Sequence, residues 1–302
     1  MLEHAAGIAQ KSDATAIFVY VDAVELNELP FSDLKSPKIF YVTHRSQETP
    51  DPRGNVEFIR VPDVPLTRMG QVKIAIFLAT SRNLIIPGNK IVCLTGIAQS
   101  GMLDTIVVTT VGGEFEMFTS AEDHSGTPRH ILPEVIERVV DIASELGHEG
   151  REGKPVGMLM VVGDADRARE LSRQLILNPF QGYPPEQRNV MDPTLEETIK
   201  EFATVDGAFI VRGDGVIETC GAYLKTASQQ QYELPRGLGA RHHAAAAITA
   251  VTDSIAVTVS ESTGTVTIFR GGKIVTEIEK PRSTTRSQEI TPARQGPPSL
   301  SE

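Results

Sequence analysis

Cysteine is scarce in this 302-residue sequence, basic residues are outnumbered, and long apolar runs are missing. The two cysteines, Cys93 and Cys220, each sit inside an apolar, strand-like run. Reduced, buried thiols are expected there, as in a cytoplasmic protein. With 29 Lys and Arg against 39 Asp and Glu, the net charge is −10 and the surface repels polyanions. A broad nucleic-acid surface or anionic-membrane surface is therefore not expected, and any phosphate ligand must find a local basic pocket. No apolar stretch approaches the roughly 20 residues that span a bilayer, and the start at Met1, Glu3 and His4 lacks the basic-then-apolar order of a secretory signal. No G-x-x-x-x-G-K-[ST] loop occurs, which excludes a P-loop ATPase. His4, His44, His124, His130 and His148 show no metal-ligand spacing and are read as surface residues.

What is present suits packed structure almost throughout, with 40% hydrophobic and 23% charged residues. At about 100–200 residues per domain the length favours two domains, each able to bury a core. Apolar runs at Ala16–Val21, Ile39–Val42, Val56–Val61, Ile91–Leu94 and Thr105–Val111 read as strands, with a helix at Gln71–Ser81. This interleaving predicts a three-layer α/β domain over residues 1–118 with a mostly parallel sheet. The polar stretch 119–127 reads as a linker. Beyond it, Val135, Ile136, Val139, Ile142, Ala143 and Leu146 recur at helical spacing, and Gly147 stands where a left-handed C-terminal cap belongs.

A buried strand at Gly157–Val162 follows, then a helix from Asp164 through Leu177, and Asp192-Pro193 starts another. Strands at Ala208–Arg212, Val216–Thr219, Ile255–Ser260, Val266–Phe269 and Lys273–Glu277 surround a helix at about Ala240–Val251. Gly213-Asp214-Gly215 and Gly271-Gly272 serve as turns. Residues 128–280 are thus a second α/β domain with a mixed central sheet. The polar residues 281–302 have little to bury and are expected to be disordered.

Three short pieces carry the chemistry: Asp206-Gly207-Ala208 opening a strand, Gly239-Ala240-Arg241-His242-His243 opening a helix, and Ser260-Glu261-Ser262-Thr263-Gly264 ending a strand. A nucleotide site needs a carboxylate for metal, glycine for close approach and cations for phosphate, and together these pieces supply all three. From Leu234 to Thr252 no acidic residue occurs, while Arg236, Arg241, His242 and His243 cluster. A helix start adds free amides and the positive end of the helix dipole, which favour a bound phosphate.

DGAFIV, CGAYL, LGARHHAAAAI and VTDSIAVTVSESTGTVTI, preceded by GMLMVVGD and NPFQGY, occur in an order and spacing that resemble the diadenylate cyclase domain. The resemblance covers about half the chain. It implies that two ATP molecules are joined into cyclic di-AMP with Mn²⁺ or Mg²⁺. Asp206 would hold the metal near the attacking ribose 3′-hydroxyl. Gly207 and Ala208 would approach the nucleotide, and Tyr223 and Leu224 would cover the adenine. Gly239, Arg241, His242 and His243 would bind the triphosphate, with Ser260 also on phosphate. Asp206 and Arg241 are the residues expected to be catalytic, and two such domains should face each other.

Two departures stand out. His243 replaces a frequent arginine, so a permanent charge becomes pH-dependent. Ser262 stands where some members carry a second acid, and strand alternation would aim the neighbouring Glu261 to the opposite face. The segment LTRMGQVKIAIFLATSRNLIIPGNKIVCLTGIAQSGMLDTIVV resembles, more weakly, the regulatory C-terminal domain of pyruvate kinase, a pairing that looks archaeal. The rival reading is a sensor that binds ATP or cyclic di-AMP without turnover.

Overall fold

A computed structural model describes residues 1–24, 37–45, 56–112, 128, 130–225 and 234–281. The first domain opens with α1 (Leu2–Lys11), followed by β1 (Ala16–Tyr20), β2 (Lys38–Thr43), β3 (Val56–Arg60), α2 (Arg68–Ser81), β4 (Lys90–Thr95) and β5 (Thr105–Thr110). The sheet order is β3-β2-β1-β4-β5. β1 pairs in parallel with β2 and β4, β2 in parallel with β3, and β5 closes the edge antiparallel to β4. All of β1 is buried, as a parallel strand covered on both faces must be, whereas β5 (TIVVTT) is largely half-exposed. The α1 helix has no counterpart in the sequence reading. Small residues carry its inner face: Ala5 and Ala9 are buried, with Ile8 packed beside them.

The α2 helix is apolar nearly all round, and such a helix is stable only when covered on several sides. It packs on β3 and β4 of its own sheet, and also on the second domain. There it meets α3 (Pro133–Glu149) and β12 (Lys273–Ile278). Two ion pairs cross the same junction. Arg82 grips Glu137 through two hydrogen bonds of 2.5 and 2.6 Å, and Arg60 lies 3.6 Å from Asp141. Burial pushes the Asp141 carboxyl up to about 6, against the pull of Arg60 and Arg138 and with a push from Glu145 and Glu137.

The second domain continues with β6 (Met158–Gly163), α4 (Ala165–Glu170), β7 (Ser172–Gln174), α5 (Glu196–Phe202), β8 (Ala208–Arg212) and β9 (Ile217–Leu224). It ends with α6 (Ala240–Val251), β10 (Ile255–Val259), β11 (Val266–Arg270) and β12. Among the described residues its seven strands run in the order β12-β11-β10-β6-β8-β9-β7, and only β6 and β8 are parallel. Successive strand residues serve opposite faces. Met158, Met160 and Val162 join the core under α3 and α5, while Leu159 and Val161 join the core under α4 and α6. Lys200 of α5 ties that helix to α3 by a bond of 2.7 Å to Glu145, and also bonds Glu196 of its own helix at 2.6 Å.

Several expectations need correction. The α3 helix runs past Gly147 to Glu149, and the left-handed residue at its end is Gly150, with φ of 69°. The helix after Asp164 stops at Glu170 rather than Leu177. Ser172–Gln174 pairs instead as an edge strand with Leu224, Tyr223 and Ala222, and Asp164 makes no capping bond to its own helix. Asp192 does cap, accepting from the Thr194 amide at 2.9 Å, but it opens a short 3-10 turn before α5. His44 is no free surface residue, since its ring lies 2.8 Å from the buried Asp22 carboxylate, and the His148 Nδ1 is buried. Both cysteines are free and buried, and burial pushes each thiol up to about 12. The expected linker 119–127 and the expected tail beyond 281 lie outside the described residues.

Candidate functional site

The strand directions of the second sheet decide which residues meet. β6 and β8 are parallel and so begin at the same edge. β10 is antiparallel to β6 and ends there, Val259 opposite Met158, and β9 is antiparallel to β8 and ends there, Ala222 opposite Ala208. The same edge therefore collects Gly157 before β6, Asp206 before β8, Tyr223 and Leu224 at the end of β9, and Ser260 and Glu261 after β10. The start of α6 faces them.

Arg241, in the first turn of α6, is the hub. Its Nη2 lies 3.5 Å from Asp206 Oδ1 and its Nη1 lies 3.5 Å from Glu261 Oε2. The Asp206 side chain is 93% exposed, Glu261 65% and Arg241 30%, so these pairs contribute little to stability and their groups are available to a ligand. Gly157 makes room for the guanidinium, since a Cβ there would stand 2.8 Å from Arg241 Nη1. The N-cap of α6 is Gly239, which offers no side-chain cap, and the first turn holds no acid. A helix start of this kind leaves its first amides for a ligand.

The other expected residues are placed as follows. Gly207 has φ of 112°, and a Cβ on it would fall 2.6 Å from the Gly221 carbonyl carbon and 2.8 Å from the Ala222 amide. The close approach of β9 already demands glycine there. Ala208 and Leu224 are buried in the core beneath α4 and α6, and Tyr223 is half-exposed with the Arg173 guanidinium 5.0 Å over its ring. Ser260 is half-buried, and its Oγ lies 3.2 Å from Ser262 Oγ. His243 is exposed near the cluster, but His242 is not brought to it. The His242 ring is buried and packs edge-on against Phe269 at 6.0 Å. Burial first, then the neighbouring His243 and Arg241 charges, hold it below the usual imidazole range.

Gly157 and Arg173 are not among the expected site residues, and Glu261 is among the residues expected to point away. Strand alternation had aimed Glu261 away, but β10 ends at Val259, so Glu261 sits in a turn where alternation no longer applies. Gly157 gives a legible signal as the glycine at the entrance of an apolar strand, and Arg173 gives none. A cleft of about 940 Å³ opens between α4, β7 and the 178–182 segment, but it contains none of the Arg241 cluster, and its Arg188 is held 3.4 Å from Glu218.

No group of three His, Cys, Asp or Glu side chains among the described residues could hold a metal unaided. The donors at the edge are two carboxylates, Asp206 and Glu261. Hard oxygen donors of this kind, few in number, suit Mg²⁺ or Mn²⁺ shared with substrate phosphates.

An α/β sheet edge that joins carboxylates, an arginine and an uncapped helix start belongs to the class of phosphate-binding α/β domains. Residues 145–274 match the family model described as DisA bacterial checkpoint controller nucleotide-binding, and residues 1–119 match the one described as Probable sensor domain DacZ_P. A diadenylate cyclase of Methanocaldococcus jannaschii is 38% identical over 202 residues, 67% of this chain and 63% of that protein. A diadenylate cyclase of Haloferax volcanii is 34% identical over 236 residues, 76% of this chain and 83% of that protein. A diadenylate cyclase of Listeria monocytogenes is 37% identical over 75 residues, 25% of this chain and 26% of that protein. The chain belongs to the diadenylate cyclase family, and its match spans less than two thirds of the M. jannaschii protein's length.

Proposed function

We propose that the second domain condenses two ATP molecules into cyclic di-AMP. Each 3′-hydroxyl oxygen bonds to the α-phosphorus of the other ATP, the bond to the β-phosphate oxygen breaks, and two pyrophosphates and two protons are released. The observation that carries this reading is Arg241 held 3.5 Å from Asp206 and 3.5 Å from Glu261 at an uncapped helix start.

Arg241 has exchangeable partners. When a triphosphate arrives, its Nη groups can turn from the exposed carboxylates to phosphate oxygens, which frees Asp206. Asp206, with Glu261 beside it, would hold Mn²⁺ or Mg²⁺, which supplies charge neutralisation at the reacting phosphate. Gly239 and the first amides of α6 receive the phosphates, with Ser260 and His243 at the rim. The exposed Tyr223 ring offers a face to adenine, while Leu224 and Ala208 shape the floor beneath it. His242 supports α6 through Phe269 and so acts from behind the site.

The exposure of Asp206 and Tyr223 is that of half a site. One domain presents one ATP, so a second copy must face it. For the first domain, the match of residues 1–119 to the model described as Probable sensor domain DacZ_P supports a regulatory part over a catalytic one.

Incubation of the full chain with ATP and Mn²⁺, followed by mass analysis, tests the reading. Cyclic di-AMP and pyrophosphate are expected in a ratio of one to two by the stoichiometry above. Tight ATP binding with no product would overturn turnover and favour the sensor reading that His243 and Ser262 suggest.

A further inference from the structure

The turn after β10 carries Ser260 and Glu261 to the site. It is closed by Gly264 N–H donating to the Ser260 carbonyl at 2.8 Å and Ser260 N–H donating to Thr265 at 2.9 Å. The last turn of α3 lies directly behind it. A Cβ on Gly147 would collide with the Gly264 carbonyl oxygen and stand 3.2 Å from its carbon, and a Cβ on Gly264 would collide with the Gly147 carbonyl in return. Nothing in the helix itself calls for glycine at 147, where alanine is intrinsically favoured by about 1 kcal/mol.

The first domain reaches the same place. Val64, Pro65 and Leu66, just ahead of α2, line a narrow crevice with Ser144, His148 and Gly264. Lys280 clamps its rim, donating to the His148 carbonyl at 2.7 Å and passing 3.4 Å from the position of a Gly264 Cβ.

We infer that Gly147 is a positioning residue: its missing side chain lets α3 seat the 260–264 turn so that Glu261 meets Arg241, and Val64–Leu66 braces that turn from the first domain. The first domain thus acts on cyclisation through this junction. The inference rests on the 260–264 turn being part of the cyclase site.

Full-length Gly147→Ala, Leu66→Ala and Gly150→Ala are compared with wild type by steady-state kinetics with ATP and Mn²⁺, and by amide hydrogen exchange at residues 260–264. Gly150→Ala is the control. It strains the same helix end, with φ of 69° and a Cβ against the Lys154 carbonyl, without touching the turn. Displacing the turn by about 1 Å should lower kcat of Gly147→Ala by about 10- to 100-fold while KM for ATP stays within about twofold. The Gly264 amide should exchange faster. Leu66→Ala should lower kcat by about threefold with the same exchange signature. Gly150→Ala should lose thermal stability yet keep kcat and turn protection.

Wild-type kcat and protection in folded Gly147→Ala would overturn the inference, as would equal loss of kcat in Gly150→Ala at equal loss of stability. Should Gly147→Ala fail to fold, Leu66→Ala decides, and unchanged kcat and protection there overturn the brace. A wild type without cyclic product would defeat the site reading alone, because hydrogen exchange still reports whether Gly147 seats the turn.

Discussion

The helices α2 and α6 both begin beside strand ends, and the chain finishes the two starts in opposite ways. At α2 the Thr67 hydroxyl accepts from the Gly70 amide at 2.9 Å, and Arg68 is bound to Asp104 with its Nε 2.6 Å from the carboxylate. At α6 the N-cap is Gly239, no acid occupies the first turn, and Arg241 leans on exposed carboxylates. Capping groups and compensating charge stabilise a helix start, so their omission at α6 is a stability cost carried where, on the proposed function, phosphate would supply both. The start of α2 is a junction between domains, and on the proposed function the start of α6 is a phosphate receptor.

The strongest way to break this contrast is to remove the carboxylate beside Arg241. Asp206→Asn should lower cyclic di-AMP formation by about a hundredfold or more, since an amide is a poor ligand for Mn²⁺ or Mg²⁺ and a preorganised charge is lost. Its unfolding transition should match wild type because the side chain is 93% exposed. Wild-type turnover would remove Asp206 from the reaction.

A subtler change gives α6 the cap that α2 has. Gly239 has extended backbone with φ of −81°, and a Cβ there meets nothing within 4 Å, so Gly239→Asp should fit. A carboxylate cap should raise stability by about 0.5 kcal/mol while repelling triphosphate, raising KM for ATP by about tenfold. Calorimetric unfolding and kinetics on the same sample check both signs. A tighter KM would contradict the receptor role.

On the junction side, Asp141 gives a pH signature. Its folded carboxyl is raised to about 6 by burial, with Arg60 and Arg138 opposing and Glu137 and Glu145 reinforcing. The stability it contributes is therefore full below the unfolded carboxyl range and is lost as pH rises through about 6. Asp141→Asn should raise unfolding free energy by about 2–3 kcal/mol at pH 8 and leave it nearly unchanged at pH 4, measured by denaturant titration. The smallest effect is expected at the α2 cap. Thr67→Ala should cost about 1 kcal/mol of stability, with KM for ATP unchanged.

Much of this architecture was legible because strands bury short apolar runs and α6 is bounded by clear signals. Its span, Ala240–Val251, follows from the glycine before it and the apolar period within it. What escaped depended on distant partners. Ser172–Gln174 is a strand only because β9 lies beside it, and no local property of Ser-Arg-Gln announces that. Helical spacing points to Gly147 as the cap. The positive φ belongs to Gly150, and the reason for Gly147 lies in Gly264, far along the chain. At the site, Asp206 and Arg241 stand out by residue type and order, and the fold brings them within 3.5 Å. Glu261 was set aside because the strand was taken one residue too far, and His242 was assigned to phosphate although its ring completes the core against Phe269.

The central claim is that the α6 edge is open because a second copy closes it, and mixing chains tests this most directly. Asp206→Asn that still binds ATP is added in excess to wild type under conditions where subunit exchange has been demonstrated, and cyclic di-AMP is measured per wild-type chain. Mixed pairs should complete at most one of the two transfers, so cyclic product per wild-type chain should fall as mutant is added, with linear dinucleotide accumulating. Cyclic product that stays strictly proportional to wild-type chains would mean that each chain works alone and that the open edge is not half of a shared site.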